Sequence, residues 1–182
     1  MFLRKTKARE PLPITMTGVR MGERLLQIGV DDPDVAGAIA AKVGLSGSAA
    51  VAVRDESGAA RARTAAARAG ALIDVSETSL EALPYPDASF DVVVVHGIRV
   101  AVGERVPGVS VDALKQCLRV LRPGGRMVVI TPGPKSGLGA LLRPSPATPA
   151  NVAAEALTAA GFRPVRVVGE LEGLRFTEGL KA

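Results

Sequence analysis

Three carboxylates follow the first apolar run of the sequence, at the point where a buried strand would end. Gly29 closes the run, and Asp31, Asp32 and Asp34 come soon after it. Carboxylates at the start of a helix accept hydrogen bonds from its unpaired N–H groups and oppose the binding of an anion there. Asp32 and Asp34 suit this capping role, which leaves Asp31 to face a ligand. The turn therefore favours a cationic ligand over a phosphate.

His96 and Cys117 are the only histidine and the only cysteine of the chain. An imidazole has an unperturbed pKa near neutrality, which makes His96 the candidate catalytic base, with a structural or solvated histidine as the alternative. Cys117 shares a helical face with Leu114 and Leu121, so we predict a buried, inert thiol. One residue of each type is too few for a His/Cys zinc site or an internal disulfide. We therefore predict no metal centre.

Apolar runs alternate with helical stretches along the rest of the chain. The runs predict strands at residues 24–29, 49–53, 71–75, 90–95, 126–131, 165–168 and 174–177. The stretches between them predict helices that begin at Pro33, Gly58, Val111 and Pro149, with Asp32 and Thr148 as caps and Gly44, Gly70 and Gly161 as stops. Such alternation implies right-handed crossovers and a parallel sheet covered on both faces, with an antiparallel pair at the end. The predicted fold class is α/β.

Ligands of such a sheet bind beyond the carboxyl ends of its strands, where the strand order reverses. Four predicted turns meet that requirement, at residues 29–32, 54–56, 76–83 and 96–97. A dinucleotide would need a G-x-G-x-x-G fingerprint, but Gly29 stands alone and the acidic residues after it oppose a pyrophosphate. S-adenosylmethionine (SAM) carries a sulfonium and an ammonium group, so it suits the acidic turn better.

Two segments carry a resemblance to a known family. Residues 83–93 read LPYPDASFDVV, and residues 118–126 read LRVLRPGGR. They closely resemble the "LPFPDxSFDVV … RVLRPGGR" signature of class I SAM-dependent methyltransferases with a type 11 domain, especially those similar to ubiquinone/menaquinone C-methyltransferases. Residues 159–162, AAGF, resemble the family's "AGF" before strand six. The resemblance implies a Rossmann-like, doubly wound, seven-stranded and mostly parallel sheet in three αβα layers, with the antiparallel seventh strand between strands five and six.

The resemblance also implies where the cofactor SAM would bind. The family's first motif resembles D/E-x-G-x-G-x-G, and by that alignment Gly29, Val30 and Asp31 contact the cofactor. Gln27 replaces the acid of the motif, and Asp31 and Pro33 replace two of its glycines. A side chain in place of a glycine narrows the space for the methionine and ribose moieties. The glycine motif is therefore degenerate.

Two further contacts follow from the resemblance. The family has an acid after strand two that accepts both ribose hydroxyls, and Asp55 matches it. Val53 and Arg54 are alternatives, because the spacing is slightly longer than usual, and an arginine there would suit the 2′-phosphate of NADP. Ser79 and Leu80 align with the pair that contacts adenine, with a serine hydroxyl in place of the usual carboxylate.

The leading interpretation is a SAM-dependent methyltransferase that transfers a methyl group directly to an unidentified small or lipid-like acceptor. The alternative is a degenerate, non-catalytic protein of the same fold that acts as a scaffold or regulatory partner. An NADP-dependent oxidoreductase is disfavoured by the missing glycine fingerprint and the acidic turn. Little sequence is left to recognise an acceptor, apart from a loop at residues 132–147 whose residues 137–143 are a candidate apolar contact.

Length and composition limit the organisation of the chain. Its 182 residues fit a single domain, which we predict at residues 23–182 after a partly disordered leader at 1–22. The basic cluster Arg4, Lys5, Lys7 and Arg9 does not fit a signal peptide, and no apolar run is long enough to span a membrane, although a weak contact with an anionic membrane surface stays open. A net charge of only +5 with 3% aromatic residues argues against nucleic acid. We expect a cytoplasmic monomer or homodimer.

Overall fold

The computed structural model describes residues 12–97, 109–134, 150–171 and 173–182. In chain order the elements are α1 (Leu12–Met16), β1 (Arg24–Ile28), α2 (Pro33–Lys42), β2 (Ser48–Val53), α3 (Glu56–Ala69), β3 (Asp74–Glu77), β4 (Phe90–His96), α4 (Val111–Val120), β5 (Leu121–Pro132), α5 (Ala150–Ala160), β6 (Val165–Leu171) and β7 (Leu174–Leu180). Among these helices, none has the length and apolar character to cross a membrane.

The strands form one seven-stranded sheet in the order β3-β2-β1-β4-β5-β7-β6. The pairs from β3 to β5 are parallel, and β7 runs antiparallel to both β5 and β6. The predicted insertion of the seventh strand between strands five and six is therefore confirmed. The chain leaves β1 toward β2 on one side and returns to β4 on the other, so the strand order reverses between β1 and β4.

Two apolar layers cover the faces of this sheet. On one face, Leu114 of α4 and Leu157 of α5 are in the same buried cluster as Val93 and Val95. On the other face, Ile14 of α1 and Ile39 of α2 are clustered with Leu25, Val92 and Val94. Side chains alternate between the faces of a strand. Gln27 and His96 come two residues after Leu25 and Val94, so they lie on the face that α2 covers.

Local capping fixes the ends of the two helices that follow β1 and β2. Asp32 Oδ1 accepts hydrogen bonds from the N–H groups of Asp34 at 3.0 Å and Val35 at 3.2 Å, and Pro33 is the first helical residue. Gly70 ends α3 with a left-handed φ of 65°. Both features are as predicted, because a helix cap depends on neighbours in sequence.

The starts of β3 and β5 differ from the predictions. The N–H of Ala71 donates to the carbonyl of Ala66, so residues 71–73 complete the end of α3, and pairing with β2 begins only at Asp74. Leu121 was predicted on the helical stripe but pairs with Phe90 as the first residue of β5, and a register shift follows before the next pair. Within the Pro-Gly-Gly turn, Gly124 takes a positive φ of 72°.

Several predicted features can be placed and others lie outside the described residues. Within the predicted leader, residues 12–16 form α1, and Ile14 is only 4% exposed. The domain boundary after residue 22 stays a prediction. The basic cluster at residues 4–9, the cap at 148–149 and the loop segment at 137–143 fall outside the described part of the chain.

Candidate functional site

A cavity of about 170 Å³ lies at the carboxyl ends of β1, β2 and β4, where the strand order reverses. Most of the residues that the sequence predicts for a site line it, namely Gly29, Val30, Asp31, Asp55, Leu80 and His96. Ser79 is the exception among the predicted residues. The topology thus brings residues from all four predicted turns to one place, as expected for the carboxyl edge of a parallel sheet.

The turn after β1 follows directly into α2. Gly29 has a left-handed φ of 77°, which favours glycine, and its N–H donates to Ala52 at 2.9 Å. Val30 is 3% exposed and packs among the side chains under α3. Asp32 caps α2 and Pro33 begins it, so the helix starts within the segment where the family motif has glycines.

Asp55 occupies two roles at once. Its Oδ1 accepts the N–H of Gly58 at 2.7 Å and so caps α3, while the residue also lines the cavity. A carboxylate has further acceptor capacity beyond one capping bond. Gly58 makes this first turn of α3 possible, because a Cβ there would lie 2.9 Å from the Cβ of Val53. Asp55 therefore provides a carboxylate at the end of β2 while it caps α3.

Two arginines also line the cavity, and the sequence pointed clearly to only one of them. Arg54, the alternative to Asp55, lies 3.7 Å from the carboxylate of Glu81. Arg61 was missed; it follows Gly58 by three residues on α3, a spacing that places both on one helical face. That spacing is the signal that would have found it. Val109 was also missed, and it comes just before the cap of α4.

Glu81 connects three loops around the cavity. Its carboxylate accepts the hydroxyl of Ser79 at 2.8 Å and the hydroxyl of Ser110, the cap of α4, at 2.8 Å. These two hydrogen bonds hold the pKa of Glu81 below its usual value, so the carboxylate is charged at neutral pH. Each of the three loops supplies a lining residue: Arg54, Leu80 and Val109. The hydroxyl of Ser79, predicted to contact adenine, is thus turned toward Glu81.

His96 is buried at the end of β4, with 5% of its surface exposed. Its Nε2 lies 2.8 Å from Oε1 of Gln27, and Nε2 of Gln27 donates to the carbonyl of Ala36 at 3.0 Å. Burial lowers the pKa of His96 to about 4, although the nearby Asp31 and Asp32 oppose the shift. The imidazole is therefore neutral at physiological pH. This geometry favours the structural alternative for His96, and the catalytic role stays a prediction.

The two signature segments, residues 83–93 and 118–126, contact each other, and none of their residues is among those that line the cavity. Arg119 donates to the carbonyls of Leu83 at 2.9 Å and Tyr85 at 2.8 Å, and to the carboxylate of Asp87 at 2.6 Å. Tyr85 packs edge-on against Phe90, with ring centroids 5.0 Å apart. These contacts give the signature residues a structural role.

Cys117 lies on the buried face of α4. It is 1% exposed, and burial raises the pKa of its thiol to about 12. A thiol in that state is protonated at neutral pH and does not act as a nucleophile. The predicted burial of Cys117 is confirmed, and its inertness stays a prediction.

Comparison with known proteins points to one family. Residues 35–129 match the family described as Methyltransferase domain. The Ubiquinone/menaquinone biosynthesis C-methyltransferase UbiE of Ectopseudomonas mendocina is 35% identical over 119 residues, which are 64% of this chain and 44% of that protein. Its counterpart in Chromobacterium violaceum is 33% identical over 117 residues, 64% of this chain and 46% of that protein. The matched part of the chain thus spans less than half the length of these relatives.

Solved structures share the fold. A SAM dependent methyltransferase from Aquifex aeolicus has a TM-score of 0.71 at 19% identity and covers 93% of this chain and 87% of its own. The [4+2]-cyclase SpnF has a TM-score of 0.61 at 27% identity and covers 86% of this chain and 57% of its own. The predicted Rossmann-like, three-layer fold is confirmed, and the same fold is found in a protein described as a cyclase.

Proposed function

The chain belongs to the methyltransferase domain family, and from this premise we propose that it binds SAM in the cavity at the switch point and transfers the methyl group to an acceptor. The observation that carries the proposal is the convergence of Asp31 and Asp55, from the ends of two neighbouring strands, on one cavity. Two carboxylates that line one cavity suit a ligand with a cationic centre and a ribose diol.

The residues present fit this cofactor. Asp55 would accept the ribose hydroxyls, as the family acid does, while its Oδ1 continues to cap α3. Leu80 and Val109 supply apolar surface for an adenine ring. Asp31 would face the positive charge. The buried Nδ1 of His96 has no hydrogen-bond partner among the described residues, which is what a site built for a ligand donor would leave.

When bound, SAM would supply an electrophilic methyl group: the acceptor's nucleophile would bond to the methyl carbon in line with the C–S bond, which breaks and releases S-adenosylhomocysteine. The protein positions the bound ligand and shields it from water. Asp31 attracts the cationic part of the ligand, Asp55 fixes the ribose, and the aliphatic side chains of Val30, Leu80 and Val109 exclude water. The neutral, buried His96 is a poor proton acceptor at pH 7 because its pKa is about 4. The acceptor must therefore arrive as a competent nucleophile or lose its proton to another group.

For the acceptor, we propose a small or lipid-like molecule whose nucleophile is a carbon atom. The support is the name of the relatives, which are C-methyltransferases of ubiquinone and menaquinone biosynthesis. The test is transfer of label from methyl-tritiated SAM to unmethylated quinone-ring precursors, separated by extraction into an organic solvent. Label that stays in SAM for every ring precursor offered would contradict a quinone-type acceptor while leaving the cofactor site untouched.

The cofactor site is tested by calorimetric titration with SAM and S-adenosylhomocysteine. We expect affinity on the order of micromolar, reduced at least about tenfold by Asp55→Asn, because asparagine keeps the helix cap but removes the charge that holds the ribose. Glu56→Gln is the matched control, since Glu56 pairs with Arg63 at 3.0 Å outside the cavity. Equal affinity in Asp55→Asn and wild type would contradict the ribose role.

A second candidate function has its own observation. Asp31 and Pro33 place side chains where the family motif has glycines, and the turn closes into α2 at Asp32. A fold that no longer admits SAM would act as a scaffold or regulatory partner. A folded protein that gives no heat with millimolar SAM or S-adenosylhomocysteine would favour this second candidate and contradict the first.

A further inference from the structure

The three most exposed large apolar side chains in the described part of the chain lie around one groove. Leu45 is 94% exposed, Leu72 is 81% exposed and Met21 is 77% exposed. Leu45 and Leu72 line the groove, and Met21 lies beside it, because a Cβ on the lining residue Gly44 would be 3.4 Å from Cγ of Met21. Exposed apolar side chains are usually scattered singly, so this clustering indicates a contact surface.

The groove has a volume of about 470 Å³ and lies at the amino edge of the sheet, where β2 begins at Ser48 and β3 begins at Asp74. Most of its lining is apolar, including Ala40, Val43, Ala49 and Ile73. The cavity proposed for the cofactor lies at the carboxyl ends of the strands, on the opposite edge of the same sheet. A partner bound in the groove would therefore leave that cavity open.

Backbone hydrogen bonds hold the two loops that carry these leucines. The carbonyl of Val43 accepts the N–H of Gly22 at 2.9 Å, and the N–H of Ala71 donates to the carbonyl of Ala66 at 2.9 Å. Loops held in this way lose little conformational freedom when a partner binds. Because most of the surface of each leucine is in solvent, a small molecule in the groove would leave it exposed, whereas a protein surface would cover it.

The shape and the charges of this surface suit a second copy of the same chain. The projecting leucines and the groove belong to one surface, so two copies related by a two-fold axis can each place Leu72 in the groove of the other. Asp74 is the only charged residue among the described residues that line the groove, and Lys42 lies between two lining residues at the end of α2. A contact between two copies can therefore bring an acidic and a basic residue together. An anionic membrane fits less well, because it needs several basic residues and would repel Asp74.

We propose that the groove between the ends of α2 and α3 is the interface of a symmetric homodimer, in which Leu45 and Leu72 of each copy pack against the groove of the other. The inference does not depend on the proposed function, because the interface and the cofactor cavity lie on opposite edges of the sheet. One groove and a few large side chains per copy make a small interface. We therefore expect a reversible dimer that dissociates in the micromolar range.

The first test is sedimentation equilibrium of the whole chain over a range of concentrations. We expect the mass to rise from 18.7 kDa toward twice that value. Leu72→Asp should raise the dimer dissociation constant at least about tenfold, because it buries a charge in the contact. Val167→Asp is the matched control and should leave the constant unchanged, because Val167 is an exposed aliphatic residue on β6, at the other end of the strand order. The mass of one chain at every concentration up to about 1 mM, or equal dimerisation in Leu72→Asp and wild type, would overturn the proposal.

Cross-linking tests the same interface without adding a charge. The only cysteine of the chain, Cys117, is buried, so a cysteine introduced at the surface is the accessible thiol. We expect a short bismaleimide to convert Leu72→Cys into a covalent dimer faster than Val167→Cys. Equal rates in the two variants would indicate random collision and overturn the proposal. A wild type that stays monomeric but binds vesicles of anionic phospholipid, and loses that binding in Leu72→Asp, would place a membrane on the groove and would also overturn it.

Discussion

The signature segments and the turn after β1 differ in how their residues are used. In the signature segments, Arg119 binds two backbone carbonyls and the carboxylate of Asp87, so its hydrogen bonds hold the path of the chain. At the turn after β1, Asp31 lines the cavity together with His96 from the end of β4, and Gln27 contacts His96. The family match at residues 35–129 includes the signature segments and begins after this turn.

This difference shows that likeness to a family and likeness of its site are separate properties. The segments that carry the resemblance hold the fold, whereas the turn that departs from the family motif lines the cavity. A shared fold does not fix chemistry, and the similar fold of a [4+2]-cyclase illustrates this. We therefore expect the function of this chain to depend on the residues after β1 more than on its most recognisable segments.

The largest effect is expected from Arg119→Met in the signature segments. The substitution keeps an apolar stem but leaves three acceptors without their donor, so the free energy of unfolding should fall by about 2–3 kcal/mol in urea denaturation. Arg63→Met, which removes an exposed ion pair with Glu56, is the control and should cost under about 0.5 kcal/mol. Similar losses in both variants would mean that Arg119 does not hold the signature segments as described.

A smaller effect, of opposite sign for stability and for binding, is expected from Pro33→Gly at the start of α2. Glycine at the first position of α2 adds conformational freedom to the unfolded chain, which should cost about 1 kcal/mol of stability. It also removes the ring at the helix start and restores a backbone N–H that can donate to the carboxylate of SAM, so affinity for SAM should rise roughly threefold. Weaker SAM binding in this variant would mean that the proline, rather than an open turn, shapes the site.

Glu81 contacts Ser79, Ser110 and Arg54 around the cavity, and its contribution to SAM binding should depend on pH. The pKa of Glu81 is lowered in the folded state, so its contribution is complete above the usual value of 4.5 and is lost as the pH falls below it. We expect Glu81→Gln to weaken SAM binding by no more than about threefold at neutral pH, because the side chain is partly exposed. As the pH falls through that range, the wild type should lose affinity toward the level of the variant. If SAM affinity changes with pH in the same way in wild type and Glu81→Gln, the charge of Glu81 does not support SAM binding.

The smallest effect is expected from thiol reagents. Cys117 lies on the buried face of α4, and burial raises the pKa of its thiol to about 12. It should remain unmodified by an alkylating reagent at neutral pH until the protein is unfolded in denaturant, as followed by mass spectrometry. Modification at the rate of a free thiol in the folded protein would show that α4 readily exposes Cys117 to solvent.

Local signals in the sequence were sufficient for part of this architecture. The start of α2 at Asp32 and Pro33 and the end of α3 at Gly70 were predicted, because caps involve residues a few positions apart. The first residue of β3 was not, since pairing with β2 decides it. The seven-strand order followed from the family resemblance, and pattern alone gave only the α/β class.

The sequence predicted the turns that form the candidate site but not the hydrogen bonds that connect their side chains. Gln27 and His96 are 69 residues apart, and Glu81 and Ser110 are 29 apart, so no spacing rule links them. Their pairing depends on which strands neighbour one another and which sheet face a side chain occupies. Sequence reasoning therefore found most of the lining residues, but it missed Arg61, Val109 and the hydrogen bonds that determine what His96 can do.

The most direct test of the account is a crystal structure of the chain with S-adenosylhomocysteine. The account predicts the ligand in the cavity at the carboxyl ends of β1, β2 and β4, with its ribose hydroxyls on Asp55. A ligand bound elsewhere, or a cavity left empty at saturating ligand, would contradict it.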